Sequence, residues 1–224
     1  MPSFDDLFLQ HVGPSLAKHL SFLRAVEGLP CDVDMEAGEA SFGSRLSFPV
    51  QLLGFEAPSE GSWTWGWAVE EPPPERLLRD SLWLKAYGER NDLDVFTVES
   101  FATEECDGDD VAVLACGLLR SQAFFVAESD DETAYFLVPD LRGQVPVERP
   151  AADVAEVIAR MLDVYALPQP AAALRPYLAF EGYEIDEPEP RRWIARHPNG
   201  SRIALTFDRQ GRLVQVKTRH PGST

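Results

Sequence analysis

Lysine and arginine are scarce in this sequence. There are 20 of them against 37 aspartates and glutamates in 224 residues, a formal net charge of −17. A surface of that sign repels the phosphates of nucleic acid and the anionic face of a membrane, which disfavours both as partners of the whole protein. No apolar run approaches the ~20 residues needed to span a bilayer. The first ten residues hold Asp5 and Asp6 but no Lys or Arg. A signal peptide needs a basic leading segment, so none is expected here, and a cytoplasmic location is. Cysteine is also scarce. Cys31, Cys106 and Cys116 form no C-x-x-C pair, and an odd count argues against a disulfide framework. The histidines, His11, His19, His197 and His220, lack the close spacing of a zinc site. G-x-S-x-G, P-loop, H-E-x-x-H and G-x-G-x-x-G patterns are all missing. The sequence therefore assigns no catalytic residue, no metal and no cofactor.

What is present is an ordinary globular mix, 45% apolar and 25% charged, long enough to bury a core without disulfide or metal support. The pattern reads as α+β. A first helix is expected over Asp5 to Val26, with Leu7, Val12, Leu16, Leu20 and Leu23 on its inner side and Pro14 as a break. Strands are expected at Cys31–Glu36, Glu39–Phe42, Leu46–Glu56 and Ser62–Val69. After Pro72-Pro73-Pro74 comes a helix over Glu75 to Gly88, with Leu77, Leu78, Leu82 and Trp83 facing inward. Val95 to Phe101 reads as extended, and Asp109 to Leu119 as a helix capped by Asp109. A hairpin follows over Gln122–Ala127 and Ala134–Val138, then a linker over Leu141 to Pro150. Helices at Ala151 to Tyr165 and Leu174–Phe180 lead to strands at Arg192–Arg196, Arg202–Phe207 and Leu213–Thr218, with Asn199-Gly200 as a hairpin signal. The expected architecture is a curved, mostly antiparallel sheet with packed helices over residues 1–148. A C-terminal appendage of helices and a three-stranded antiparallel sheet occupies 149–224.

Charge is divided along the chain. Residues 1–189 hold 36 acids and 12 bases, a net of −24, whereas residues 190–224 hold one acid, Asp208, and eight bases, a net of +7. Such asymmetry fits a polyanion-binding tail, or basic strands that dock on the acidic body.

The distinctive motif is Ser62-Trp63-Thr64-Trp65-Gly66-Trp67-Ala68. In a strand, Trp63, Trp65 and Trp67 share one face and the small residues share the other. The tryptophans then form either a stacking platform for a flat ligand or a block of core. Burial is the commoner fate of aromatic stripes in strands. With Val50-Gln51-Leu52-Leu53-Gly54 before it, this segment resembles a bacterial family of unknown function. Members of that family carry G-T-W-x-W-x-W-A after an x-Q-x-L-G strand. Ser62 stands here in place of the usual threonine. The resemblance continues through Ala115-Cys116-Gly117 and the strands near Phe124 and Tyr135, spans residues 1–140, and implies no activity, cofactor or catalytic residue.

Two acidic stretches, Glu104 to Asp110 and Glu128 to Glu132, match no calcium-loop pattern and read as solvated loops. Cys116 near a helix C-terminus reads as a structural thiol, because the dipole there disfavours a thiolate. The function that fits best is non-catalytic capture of a basic protein partner, in the manner of an immunity protein blocking a cationic toxin. The alternatives are a small-ligand protein using Trp63, Trp65 and Trp67, and an enzyme with a carboxylate-based site.

Overall fold

The computed structural model describes residues 2–219 except 105, 130, 146–150, 166 and 168. The class is α+β, as expected. Among the described residues there are five α-helices and twelve strands in three antiparallel sheets of three, five and four strands, none closed. The chain divides into two compact units, Met1–Phe8 with Lys18–Pro146, and Leu9–Ala17 with Val147–Thr224. No helix among the described residues is long and apolar enough to cross a membrane.

Helix α1, Phe4–Val26, opens with a reciprocal cap. The Ser3 hydroxyl accepts from the Asp6 N–H while the Asp6 carboxylate accepts from the Ser3 N–H. Pro14 lies inside the helix and does not break it. An interior proline costs about 3 kcal/mol. Burial of Val12, Leu16 and Ala17 beside it offsets that cost. Leu23, expected on the inner side, is 41% exposed, and Phe22 and Val26 take the buried positions instead.

In the first unit, β1 (Cys31–Asp34), β2 (Glu39–Phe42) and β3 (Leu46–Pro49) form the small sheet. The single strand expected over Leu46–Glu56 is two. Pro49 has no N–H to continue the ladder, and the Val50 N–H donates to the Gly38 carbonyl at 2.9 Å. Strand β4 (Gln51–Ala57) then enters the larger sheet, whose order is β6-β5-β4-β8-β7. Its partners are β5 (Ser62–Trp65), β6 (Ser100–Ala102), β7 (Ala123–Glu128) and β8 (Thr133–Val138). Phe22, Phe42, Phe48, Leu52, Phe125 and Phe136 make the centre of one buried cluster. Helix α2 (Glu75–Asn91) adds Leu77 and Leu78 to it. Trp83, placed inward by periodicity, is 40% exposed and stacks on Tyr87 one turn on. A short 3-10 turn, Asp94–Phe96, occupies part of the stretch expected to be extended. Helix α3 (Gly108–Leu118) contacts β8, β7 and β4.

The tryptophan strand is shorter than the motif. It ends at Trp65: the Gly66 N–H still donates to Leu53 opposite it, and the Ala68 N–H then turns back to Trp65. Trp63 and Trp65 are fully buried, edge to face at 5.4 Å. Gly54 on β4 makes room for them. A Cβ there would sit 2.4 Å from the Thr64 carbonyl oxygen and 2.7 Å from the Trp63 ring.

In the second unit, α4 (Ala151–Val164) and α5 (Pro170–Phe180) precede a sheet of order β12-β11-β10-β9. Strands β10 (Arg192–Arg196), β11 (Arg202–Phe207) and β12 (Leu213–Arg219) are those expected. Strand β9 (Glu184–Glu189) is an addition that makes the appendage four-stranded. Its four carboxylates and Pro188 give it poor strand propensity, and an edge position is where a proline is tolerated. Gly13 of α1 lets Tyr177 of α5 approach closely, since a Cβ there would meet the Tyr177 Cβ at 2.4 Å.

Two substitutions test the packing of the tryptophan strand. Trp65→Ala should cost about 3–5 kcal/mol in urea unfolding, the range of large core truncations. Gly54→Ala should cost about 1–3 kcal/mol as an overpacking change. An unchanged urea midpoint for either variant would show that the strand is not packed in this way.

Candidate functional site

Topology brings together acids that lie far apart in sequence. Strands β4 and β7 end, β5 and β8 begin, and β6 ends, all at one end of the five-stranded sheet. The registers Ala57↔Ser62, Ser62↔Ala102, Glu56↔Thr133 and Glu128↔Thr133 fix this. Three connections leave from that end, over residues 56–61, 103–110 and 128–133. They hold eleven acidic residues and no lysine or arginine. Two of the eleven, at 105 and 130, lie outside the described residues.

Glu56 anchors this end. Its Oε2 accepts the Gly108 N–H at 2.9 Å and the Tyr135 hydroxyl at 3.1 Å. Gly108 opens α3, and a Cβ on it would stand 2.4 Å from the Tyr135 ring and 2.6 Å from Glu56 Oε2. Only glycine lets the helix start so near the sheet. The helix cap is Asp107, whose Oδ1 accepts the Asp110 N–H at 2.9 Å, and not Asp109 as the sequence led one to expect. With the Gly108 N–H taken by Glu56, the first turn starts one residue earlier.

Crowding of carboxylates at a partly buried helix end raises their proton affinity. Partial burial and the charge of Asp107 push Asp110 up to about 7, against the pull of a hydrogen bond its carboxylate accepts from the Asp107 backbone. Asp109 is raised by loss of solvent and by Asp107 and Glu56. Burial first, then Asp109 and Glu56, push the Tyr135 phenol far above its usual range. Burial, Asp110 and Asp107 do the same to the Cys106 thiol, so it carries no thiolate at neutral pH. The end of the sheet thus concentrates negative charge. Among the described residues, no group of three or more His, Cys, Asp or Glu is arranged to hold a metal ion.

The three tryptophans singled out in the sequence do not form one exposed face. Trp63 and Trp65 are fully buried, and the Trp65 Nε1–H donates to the Val95 carbonyl at 3.0 Å. Trp63 and Glu56 are cross-strand partners, so the tryptophan strand reaches the acidic end. Trp67 lies past the strand in the turn, packed at the edge of the phenylalanine cluster, with Lys85 Nζ 3.7 Å from its ring centroid. Cys116 is buried, with Sγ 3.5 Å from the Ser121 carbonyl oxygen. Sequence reasoning missed Glu56 and Tyr135. Their only signal is polarity inside an apolar strand.

The raised affinity of Asp110 fixes a pH dependence. A carboxyl that binds its proton more tightly when folded stabilises the fold below its unfolded value, and that contribution is lost as pH rises through about 7. Asp110→Asn should therefore be more stable than wild type at pH 8 and similar to it at pH 3, as read from urea midpoints. A lower midpoint for the variant at pH 8 would contradict the crowding.

No curated protein and no solved structure matches this chain. A family model matches residues 5–141, the stretch from α1 to the end of β8 together with the acidic end. That span covers more than half of the sequence, and on that ground the chain belongs to DUF6882, a family of unknown function.

Proposed function

We propose that the family-matched unit is a binding module that captures a basic protein through the acidic end of its five-stranded sheet. One observation carries this reading: the fold gathers nine described acids and no base into the three connections at that end. Residues 5–141 hold 27 acids and eight bases, so at least 19 acids have no basic counterpart in that span. Concentrated charge of one sign costs folding stability, and at Asp110 the charge of Asp107 adds to burial in raising the proton affinity. A cationic partner would relieve the repulsion and would draw the proton off Asp110. Complementary fields would also speed the encounter. A cationic nuclease, blocked in the manner of an immunity protein in the cytoplasm, has the chemistry this surface fits.

The test is capture from the native host with the intact chain and with a Glu128→Lys, Glu132→Lys variant. Both positions are exposed at the hairpin turn. The expected result is a basic protein held by the wild type and lost by the variant. Its association rate should fall at least tenfold between 0.05 and 0.5 M salt, because the Debye length shortens from roughly 14 Å to about 4 Å. A captured partner of neutral or acidic character, with a salt-insensitive association rate, would overturn the reading.

A further inference from the structure

The cationic C-terminal segment finds part of its counter-charge within its own sheet. Arg196 pairs with Asp186 of β9 at 3.0 Å, and Arg192 with Glu189 at 3.2 Å. On the other side of the sheet the carboxylate of Asp208 is taken by Arg212 in the β11–β12 turn, at 2.7 Å. Register places Arg196 opposite Arg202, and Arg202 opposite Arg219. Three arginines therefore stand in one row across β10, β11 and β12. All three are exposed, whereas Ala195 and Ile203 of the next row are buried, so the row faces away from the core. Lys217 stands on the same face, opposite Ala204.

Neighbouring strands lie about 4.8 Å apart, and like charges directly opposite destabilise a strand pair. Within the described part of this unit, Arg202, Lys217 and Arg219 have no carboxylate at ion-pair distance. A lone lysine on an edge strand guards against edge-to-edge pairing, which accounts for Lys217 on β12. It does not account for Arg202, which sits on an interior strand with an arginine on each side.

We infer that this face binds an acidic segment of a partner protein, whose carboxylates bridge neighbouring guanidinium groups of the row. Carboxylates meet arginine with paired, charge-assisted hydrogen bonds, and an anion between two arginines turns their repulsion into attraction. Ala204 and Thr206 on the same face of β11 are half-buried and small, which leaves room for an extended chain. The outward positions of β10, β11 and β12 carry no aromatic ring, so no platform exists for stacking a base. The net charge of −17 opposes a long polyanion, and a second copy of the same chain, more than a short acidic segment. This surface is separate from the acidic end of the first unit, and its test is independent of that reading.

The experiment uses the intact chain with Arg202→Gln and Arg202→Glu variants. The probes are a decaglutamate peptide and a 20-residue oligothymidylate in 50 mM salt. The expected results are binding of decaglutamate, weakened severalfold by Arg202→Gln and at least tenfold by Arg202→Glu, and a higher thermal midpoint for unliganded Arg202→Gln than for wild type. A substitution that stabilises the fold while removing binding marks a row kept for its ligand. An Arg202→Gln midpoint equal to or below wild type would show that the row is not strained and would overturn the inference. So would decaglutamate that fails to bind, or that binds the Glu variant equally well. Tighter binding of the oligothymidylate would name nucleic acid instead. Concentration-dependent self-association abolished by Arg202→Glu would name a second copy.

Discussion

One carboxylate oxygen holds the acidic end of the first unit together. Glu56 Oε2 accepts from the Gly108 backbone and from the Tyr135 hydroxyl. These bonds tie β4, the start of α3 and β8 to a single point. The tie needs a residue without a Cβ at 108, and it sets the first turn of α3 against the sheet. Asp107, Asp109 and Asp110 come with that turn. The positive end of the helix dipole partly offsets the charge brought to Glu56, whose carboxylate takes the Gly108 N–H, while Asp107 takes that of Asp110. What is left uncompensated faces solvent, and a cationic surface could meet it there.

The two units handle charge in different ways. In the first, acids are gathered from three connections by strand order, and partial burial together with neighbouring carboxylates raises the proton affinity of Asp110, Asp109 and Tyr135. In the second, bases are laid in register across strands. Repulsion is relieved on the β9 side by Asp186 and Glu189 but persists between Arg202 and Arg219. Neither arrangement is what stability alone would select. Each becomes economical when an oppositely charged partner is present.

Much of the fold could be read from the residues. Periodicity and turn signals located α1, the β7–β8 hairpin and β10 to β12, because apolar spacing and Gly or Asn at turns act locally. The split at Pro49–Val50 depends on a hydrogen bond from Val50 to Gly38 twelve residues away, which no local pattern records. Strand β9 was hidden because Glu184 to Glu189 carry charges and a proline that only an edge position accepts. Trp83 fits an inward stripe by spacing, yet Leu84 and Gly88 fill that side and leave the indole outside. The candidate site was the least legible part. The two acidic loops were visible as loops. Their meeting with Glu56 and the β4–β5 turn follows from strand order, which sequence patterns leave open.

The central claim is that the Glu56, Gly108 and Tyr135 contact sets the acidic end in place. Gly108→Ala tests it by the sign of its effect. Within a helix, alanine is favoured over glycine by roughly 1 kcal/mol, so the substitution would ordinarily stabilise. The account predicts the reverse, a lower urea midpoint, because the new Cβ would collide with the Tyr135 ring and Glu56 Oε2. A midpoint equal to or above that of wild type would contradict it.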